Sequence, residues 1–334
     1  MSNAAASDMI DQYGRRIDYV RMSVTDRCNL RCTYCMPEAM QFMPRRDLLS
    51  LDELATIAEH LVARGVRHIR LTGGEPLVRR GVVDLIARIG KLQGRGLREV
   101  TLTTNGTQLP AMAHSLFDAG VRRINVSLDT LDPGKFSAIT RRDDLKDVLA
   151  GIDAAQNAGL AVKLNIVALK GINDCDFPAM VDFCGARGID MSIIETMPMG
   201  QVDHGREDTY LPVCAARDAI ARHYTLTPSC YRTSGPSRYF DVAGTGTRIG
   251  FISPLSNNFC ASCNRIRISA TGIVYGCLGH DQSVDLRTAI RAHNSEMGIA
   301  TAIDNLLARK PLRHEFTIDD AAPSVARTMN VTGG

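Results

Sequence analysis

Residues 19 to 35 read Y-V-R-M-S-V-T-D-R-C-N-L-R-C-T-Y-C, an apolar strand pattern that runs into three cysteines. The alternation of apolar and polar residues predicts a strand over residues 19–25. Similar short apolar patterns predict five further strands, at residues 68–72, 99–103, 123–128, 161–167 and 191–195.

Helical patterns fill the segments between these strands. The clearest begins at Ser50, which forms a capping box with Glu53. Gly65, Gly120 and Gly159 are typical of residues that follow the end of a helix. Strands that alternate with helices predict parallel βαβ units with right-handed crossovers. Six units are too few for an eight-stranded barrel, so the sequence predicts an α/β fold built on a partial (β/α)6 TIM-like barrel.

The alternating pattern covers only part of the chain, which predicts three regions. Residues 1–18 form an N-terminal tail, residues 19–199 the partial barrel, and residues 200–334 a C-terminal α+β extension that closes it. In the extension, residues 241–250 are Gly-rich but lack the spacing of dinucleotide and P-loop motifs, so we expect turns there. Residues 284–309 have the apolar spacing of a helix.

Composition excludes several classes of function. The 334-residue chain carries 39 Lys and Arg against 36 Asp and Glu, a near balance that gives no reason to expect a nucleic-acid partner. No apolar run reaches about 18 residues and the N-terminus lacks a signal-peptide pattern, so we expect no membrane span and a cytoplasmic location. In that compartment the ten cysteines should be reduced. Four are scattered, and we interpret them as small buried hydrophobic residues: Cys175, Cys184, Cys214 and Cys230.

Unusual polar residues follow the predicted strands at one end. The cysteines follow the first strand, T-G-G-E-P (72–76) the second and T-T-N-G (103–106) the third, while S-L-D (127–129) ends the fourth. In barrel-type folds the carboxyl ends of the strands build the active site. We therefore expect these motifs to converge on one mouth.

The first cysteine trio, Cys28, Cys32 and Cys35, lacks a fourth ligand within reach. Thiolates suit zinc or iron–sulfur clusters. Three thiolates on a [4Fe–4S] cluster leave one iron with an open coordination position. A zinc site completed by a distant His or Cys is the alternative, which the C-x-x-x-C-x-x-C spacing and the nearby Gly-Gly-Glu-Pro disfavour.

A second trio lies in the extension: Cys260, Cys263 and Cys277. Between its members, Arg265 and Arg267 share one face of a predicted strand, with Ile266 and Ile268 on the other. Further basic residues alternate along strands expected to line the barrel: Arg21, His68, Arg70 and Lys163. Cations that point into a barrel need an anion, and a polyphosphate would supply it.

The triplet Cys28-Asn-Leu-Arg-Cys32-Thr-Tyr-Cys35 with Gly73-Gly-Glu-Pro76 resembles the radical S-adenosylmethionine (SAM) superfamily. The resemblance implies that the methionine group of SAM chelates the open iron, and that one electron then produces a 5′-deoxyadenosyl radical. It also implies a set of SAM contacts: Tyr34, Gly74, Glu75, Ser127 and Met197.

Within that superfamily, the two trios, Asn264-Arg-Ile-Arg267 and the terminal Gly333-Gly334 resemble the family that cyclises GTP in molybdenum cofactor biosynthesis. That resemblance implies two [4Fe–4S] clusters, SAM, and GTP as substrate. It implies GTP contacts at Arg21, Arg70, Thr103, Lys163, Arg265 and Arg267, with Lys163, Arg265 and Arg267 also acting in catalysis. The sequence departs from this family at His68, where relatives carry Lys, and at Ser192, where they often carry Arg.

The same resemblance implies two functional partners, an electron donor and the downstream cyclic pyranopterin monophosphate synthase, and a chain that acts as a monomer or homodimer. Two other hypotheses stay open at this point. One is another radical SAM enzyme with an auxiliary cluster, such as a peptide maturase. The other is a non-catalytic metal-sensing or zinc-stabilised module.

Overall fold

One continuous sheet organises the computed structural model, which describes residues 8–203, 205–292, 295–318 and 323–333. The strands of these residues are β1 Tyr19–Ser23, β2 His68–Thr72, β3 Glu99–Thr104, β4 Arg123–Ser127, β5 Ala161–Ala168, β6 Asp190–Glu195, β7 Leu226–Pro228, β8 Arg238–Val242, β9 Arg248–Ile252, β10 Arg265–Ile268, β11 Ile273–Tyr275 and β12 Ser283–Asp285. The first six match the predicted strands closely.

The six core strands lie side by side in chain order and pair in parallel. The extension adds strands on both sides, because β10 pairs in parallel with β1 and β9 pairs in parallel with β6. Strands β12 and β7 are the two edges, so the sheet stays open. The predicted α/β partial barrel is confirmed, but the extension lengthens its sheet at both edges and does not close it as had been expected.

Helices cover the outside of the sheet. In the described residues they are α1 Leu51–Ala63, α2 Val82–Gly90, α3 Leu109–Asp118, α4 Pro133–Thr140, α5 Leu145–Asn157, α6 Phe177–Arg187, α7 Arg206–Thr209, α8 Val213–Ala221, α9 Leu286–Arg291, α10 Ser295–Leu307 and α11 Met329–Thr332. Helix α1 has the predicted capping box at Ser50 and is followed by Gly65 with φ of +96°. No helix in the described part of the chain is long and apolar enough to cross a membrane.

The single helix predicted over residues 284–309 is wrong. Residues 283–285 instead form β12, and the Asp285 side chain accepts hydrogen bonds from the backbone of Arg287 and Thr288 to begin α9. Helix α9 ends at Arg291 and α10 begins at Ser295. The apolar spacing of this segment did not show that a helix begins inside it, because the capping residue, Asp285, is equally typical of a charged residue on the surface of a longer helix.

The scattered cysteines also required a correction. Cys184 is buried on α6, but Cys175, Cys214 and Cys230 are exposed. Cys175 lies in the turn before α6, Cys214 is the second residue of α8, and Cys230 follows β7. Their positions lie outside the apolar periodicity, which is the signal that predicts burial.

Both ends of the described chain pack against the barrel. Arg15 donates to the carbonyl oxygens of Cys260 (2.7 Å) and Leu312 (2.8 Å). At the other end, the Asn330 amide donates to the Asp26 carbonyl at 2.9 Å, and α11 contacts β1. The chain ends therefore lie against the loops that carry the cysteine trios.

Candidate functional site

Two cavities lie along the core strands, one at their carboxyl ends and one nearer their amino ends, where Tyr19 and Arg123 begin β1 and β4. The first-trio cavity is lined by residues that include Cys28, Cys32, Tyr34, Cys35, Gly73, Gly74, Thr103, Ser127 and Met197. The arginine cavity is lined by residues that include Arg21, Arg70, Arg123, Lys163, Cys260, Cys263, Arg265, Arg267 and Cys277. Asn165, Ile194 and Met197 line both, so the cavities share a wall. The predicted convergence of the motifs on one mouth is therefore what the structure shows.

The three thiols of the first trio are poorly suited to ionise alone. Burial, with the nearby Glu75 carboxylate, raises the pKa of Cys28 to about 11, and burial with Cys28 raises that of Cys35 to about 12. Burial likewise raises the pKa of Cys32. Thiolates here need a cationic centre, and iron would supply one. The donor set fits a cluster with an open position.

The glycines of the T-G-G-E-P motif are required by backbone packing. A Cβ on Gly73 would lie 2.5 Å from the Thr25 carbonyl oxygen, and one on Gly74 would lie 2.4 Å from that of Arg27. The Gly74 amide also donates to the Thr25 carbonyl at 2.7 Å. These contacts fix the loop that leads into the cysteine trio, while leaving both glycines on the cavity wall.

Glu75 lies behind this wall and is absent from the cavity lining. Its carboxylate accepts hydrogen bonds from the Asn105 amide (2.6 Å), the Thr104 hydroxyl (2.8 Å) and the Leu77 amide (3.0 Å). Burial raises its pKa to about 7. The structure therefore shows Glu75 as a brace between the ends of β2 and β3.

Tyr34, Ser127 and Met197 all reach the first-trio cavity. The Tyr34 hydroxyl donates to the Asp129 carboxylate at 2.8 Å, which fixes the ring at the cavity edge. Thr103, expected beside GTP, lines this cavity and not the arginine cavity, and its buried hydroxyl has no recorded partner.

The arginine cavity concentrates positive charge on adjacent strands. Strand register places Arg21 directly beside Arg70 on β2 and beside Arg267 on β10. Within the described residues, the Nε atoms of Arg21, Arg70 and Arg265 are buried without a hydrogen-bond partner. Burial, followed by the charge of Arg267, lowers the pKa of Arg21 well below its usual range. Guanidiniums held together in this way are suited to an anion with several charges.

Two other predicted substrate contacts already have partners. Lys163 donates to the Tyr239 hydroxyl at 2.5 Å, and burial lowers its pKa. Arg267 donates to the Gly333 carbonyl at 2.7 Å, so the C-terminal segment reaches the arginine cavity. Gly333 has φ of +69°, and a Cβ there would lie 2.0 Å from the Thr72 hydroxyl. Gly334 lies outside the described residues.

The second trio opens onto the arginine cavity. Burial opposes ionisation of Cys263, but the charges of Lys310 and Arg265 outweigh it, so its pKa lies below the ordinary value. Among the described residues, no three His, Cys, Asp or Glu side chains converge on a single metal ion. A tetrahedral zinc site needs such convergence, whereas thiolates of a cubane bind different irons.

Curated relatives match the chain over nearly its whole length. A protein of Erythrobacter litoralis named GTP 3′,8-cyclase is 55% identical and is aligned over 99% of this chain and 100% of its own length. Proteins of the same name from Rhizobium etli and Agrobacterium fabrum are 54% and 53% identical, over 99% and 98% of this chain and 96% and 94% of theirs. The chain belongs to the GTP 3′,8-cyclase family.

Two family models match successive parts of the chain, and both agree with its membership in the GTP 3′,8-cyclase family. The Radical SAM superfamily model matches residues 22–184, and the Molybdenum Cofactor Synthesis C model matches residues 189–316. Radical SAM enzymes use a [4Fe–4S] cluster and SAM, which are the cofactors expected from the sequence.

Solved structures share the fold. Streptococcus suis SuiB bound to S-adenosylmethionine superposes with a TM-score of 0.60 at 14% identity, over 94% of this chain and 77% of that one. The enzyme anSMEcpe with bound AdoMet gives 0.54 at 13% identity, over 85% and 83%. At this identity the likeness concerns the fold alone, so it does not favour a peptide substrate.

The motifs of the GTP 3′,8-cyclase family did not reveal every residue of the site. Arg123 lines the arginine cavity and is paired with Glu99 at 2.9 Å, and the Tyr19 ring lies 5.7 and 5.4 Å from the guanidiniums of Arg70 and Arg265. Arg123 and Tyr19 continue the alternation of inward-facing strand residues that identified Arg21, so the sequence did contain the pattern that predicts them. Lys310, by contrast, had no sequence signal.

His68 and Ser192, the two positions predicted to differ from the GTP 3′,8-cyclase family, are not among the residues that line either cavity. His68 Nδ1 is 3.7 Å from the Glu99 carboxylate, and its ring packs against Tyr19 at 6.1 Å between centroids. The Ser192 hydroxyl is buried 3.1 Å from that of Ser237.

Proposed function

We propose that this chain converts GTP to (8S)-3′,8-cyclo-7,8-dihydroguanosine 5′-triphosphate as a radical SAM enzyme with two [4Fe–4S] clusters. The observation that supports this best is the shared wall. One cavity carries a cysteine trio and the residues expected to bind SAM. The other carries a second trio and three guanidiniums whose buried Nε atoms have no hydrogen-bond partner among the described residues. The chain's membership in the GTP 3′,8-cyclase family supports the same reaction.

In this proposal the first-trio cavity holds SAM and its cluster, with Cys28, Cys32 and Cys35 as the iron ligands. When bound, this pair supplies a deoxyadenosyl radical. Tyr34, Gly74, Ser127 and Met197 would orient the nucleoside and methionine groups, and Met197 also lines the arginine cavity. Glu75 would act indirectly, by bracing the two loops that it bridges.

The arginine cavity would hold GTP, with the second cluster held by Cys260, Cys263 and Cys277. Arg21, Arg70 and Arg265 each have an Nε donor that no described residue accepts, and these donors would bind phosphate oxygens. Lys163 and Arg267 would add to the clamp and position the ribose for hydrogen removal, and Thr103 would meet the substrate from the first-trio side of the wall. Substrate enclosure by these buried side chains would exclude water from the radical step.

The wider assignments of the proposal follow the reaction. Residues 19–199 would carry the radical SAM core and residues 200–334 the second cluster and most of the substrate site, with residues 1–18 as the N-terminal segment. An electron donor and the downstream cyclic pyranopterin monophosphate synthase are the proposed partners, in the cytoplasm, for a monomer or homodimer.

An anaerobic turnover tests the proposal directly. Reconstituted protein receives dithionite, SAM and GTP, and chromatography follows 5′-deoxyadenosine and the GTP-derived pterin. We expect both products to depend on GTP, with about eight irons per chain. Deoxyadenosine without pterin would reject GTP cyclisation and direct the search to peptide substrates. One or two zincs in place of iron would reject radical chemistry altogether.

A further inference from the structure

Lys310 is a buried cation that the resemblance did not identify. It follows α10 and is 1% exposed, which is unusual for lysine. Its ammonium donates to the Gly276 carbonyl at 2.5 Å and contacts Cys263 Sγ at 3.6 Å. A Cβ on Gly276 would lie 3.4 Å from the Lys310 side chain, so the lysine stem fits closely against the second trio.

Within the described residues, Lys310 forms no ion pair with any carboxylate. Arg15, another buried cation beside this trio, differs because its Nε donates to Asp11 at 2.6 Å. A buried ammonium without a counter-charge is strongly unfavourable. The groups near Lys310 that can carry negative charge are the sulfurs of Cys263, which its ammonium contacts, and Cys277, and both are negative when they ligate iron.

The position of this ammonium also links two ligand segments. Cys263 ends the turn before β10, whereas Gly276 precedes Cys277 after β11. Lys310 contacts both, so one side chain sets the separation of two sulfurs. Hydrogen bonds and charge near cluster sulfurs are known to set reduction potential and ligand orientation.

We propose that Lys310 is a positioning residue for the second cluster, which holds Cys263 and Cys277 in register and raises the reduction potential of the cluster through its buried charge. One electron enters the cluster on reduction and makes it one unit more negative, with no proton transferred. A fixed ammonium favours that more negative state. This inference rests on the second cluster of the proposed function.

Potentiometric titration followed by electron paramagnetic resonance tests the inference. The parent is the full-length chain with Cys28, Cys32 and Cys35 replaced by Ala, so that the second cluster is observed alone, with dithionite as reductant. Lys310→Met removes the charge, Lys310→Arg keeps it, and Lys91→Met removes an exposed lysine as a matched control. Iron content and thermal unfolding are measured on every variant.

We expect Lys310→Met to make reduction about tenfold less favourable, a shift of about 59 mV to more negative potential for one electron. Lys310→Arg and Lys91→Met should stay within threefold of the parent. If Lys310→Met loses its iron while Lys310→Arg keeps it, the result supports the proposal, because the charge of residue 310 is then needed to hold the ligands of the cluster. Iron retained with an unmoved potential, or iron lost equally in both Lys310 variants, would overturn it. A parent that binds no iron would instead overturn the second cluster itself.

Discussion

Replacing Arg21 by Met should affect stability and substrate binding in opposite directions. In the GTP-free protein, the Arg21 Nε is buried without a hydrogen-bond partner among the described residues, and strand register places Arg70 and Arg267 on either side. Neighbouring strands are about 4.8 Å apart, so these charges repel one another at short range. An unsatisfied buried donor costs about 1 to 3 kcal/mol. Met keeps a similar apolar stem and removes that cost, so the free energy of unfolding should rise by about this amount.

The same substitution removes one charge-assisted contact to GTP. Such a contact contributes about 1.5 to 3 kcal/mol, which corresponds to a roughly 10- to 150-fold loss of affinity. Isothermal titration with GTP and denaturant unfolding of the GTP-free protein measure the two effects on one preparation. Arg98→Met removes an exposed arginine and should change neither quantity.

Arg267→Met provides the contrast. Its guanidinium donates to the Gly333 carbonyl, so its removal should weaken GTP binding similarly but without the gain in stability. Unchanged GTP affinity in the Arg21 variant would refute the anion site. Reduced stability would refute the conclusion that Arg21 is unfavourable in the free protein.

Three further predictions concern other parts of the site. Cys277→Ala should leave deoxyadenosine formation intact but abolish the pterin product, and chromatography that found undiminished pterin would remove the second cluster from the reaction. Burial raises the pKa of Glu75 from 4.5 to about 7, so the folded protein holds more protons than the unfolded chain between these values. The free energy of unfolding should therefore fall by about 3 kcal/mol as pH rises through that range, and denaturant titrations of Glu75→Gln should show a flatter profile. Gly333→Ala places a Cβ against Thr72 at a residue with positive φ, so the C-terminal segment should detach at a cost of about 1 to 3 kcal/mol. Limited proteolysis with mass detection should then show faster cleavage of this segment. An unchanged cleavage rate would contradict the close fit.

Local patterns were sufficient for the core because burial there is regular. Each core strand is either an alternation of apolar and polar residues or a continuous apolar run, with recognisable turn residues at its ends. Strand β2 was predicted with its observed bounds. The faces of β10 were also predicted correctly, since Ile266 and Ile268 are fully buried while the arginines between them line the cavity. The two-residue alternation of side chains follows from the strand backbone itself, so a single sequence carries it.

Tertiary contacts account for what the sequence did not reveal. Lys310 reaches Cys263 across 47 residues, and Arg15 reaches the Cys260 carbonyl across 245. A lysine after a helix reads as a surface charge until the fold encloses it. We expected Glu75 to face the cofactor. Its carboxylate instead accepts hydrogen bonds from donors near the ends of β2 and β3. The spacing of residues along the sequence does not show which donors a carboxylate will bind.

The pairing of β1 with β10 has a consequence for how the protein is made. Tyr19 is matched with Arg265, 246 positions later, so the first strand synthesised has an unpaired edge until most of the chain has been translated. At about 5 to 20 residues per second, that interval is roughly 12 to 50 s. Throughout it, the cysteine loop that follows β1 is attached to a strand without its neighbour. Any metal centre assembled on Cys28, Cys32 and Cys35 before residue 265 is synthesised would therefore be attached to a strand that still has one free edge.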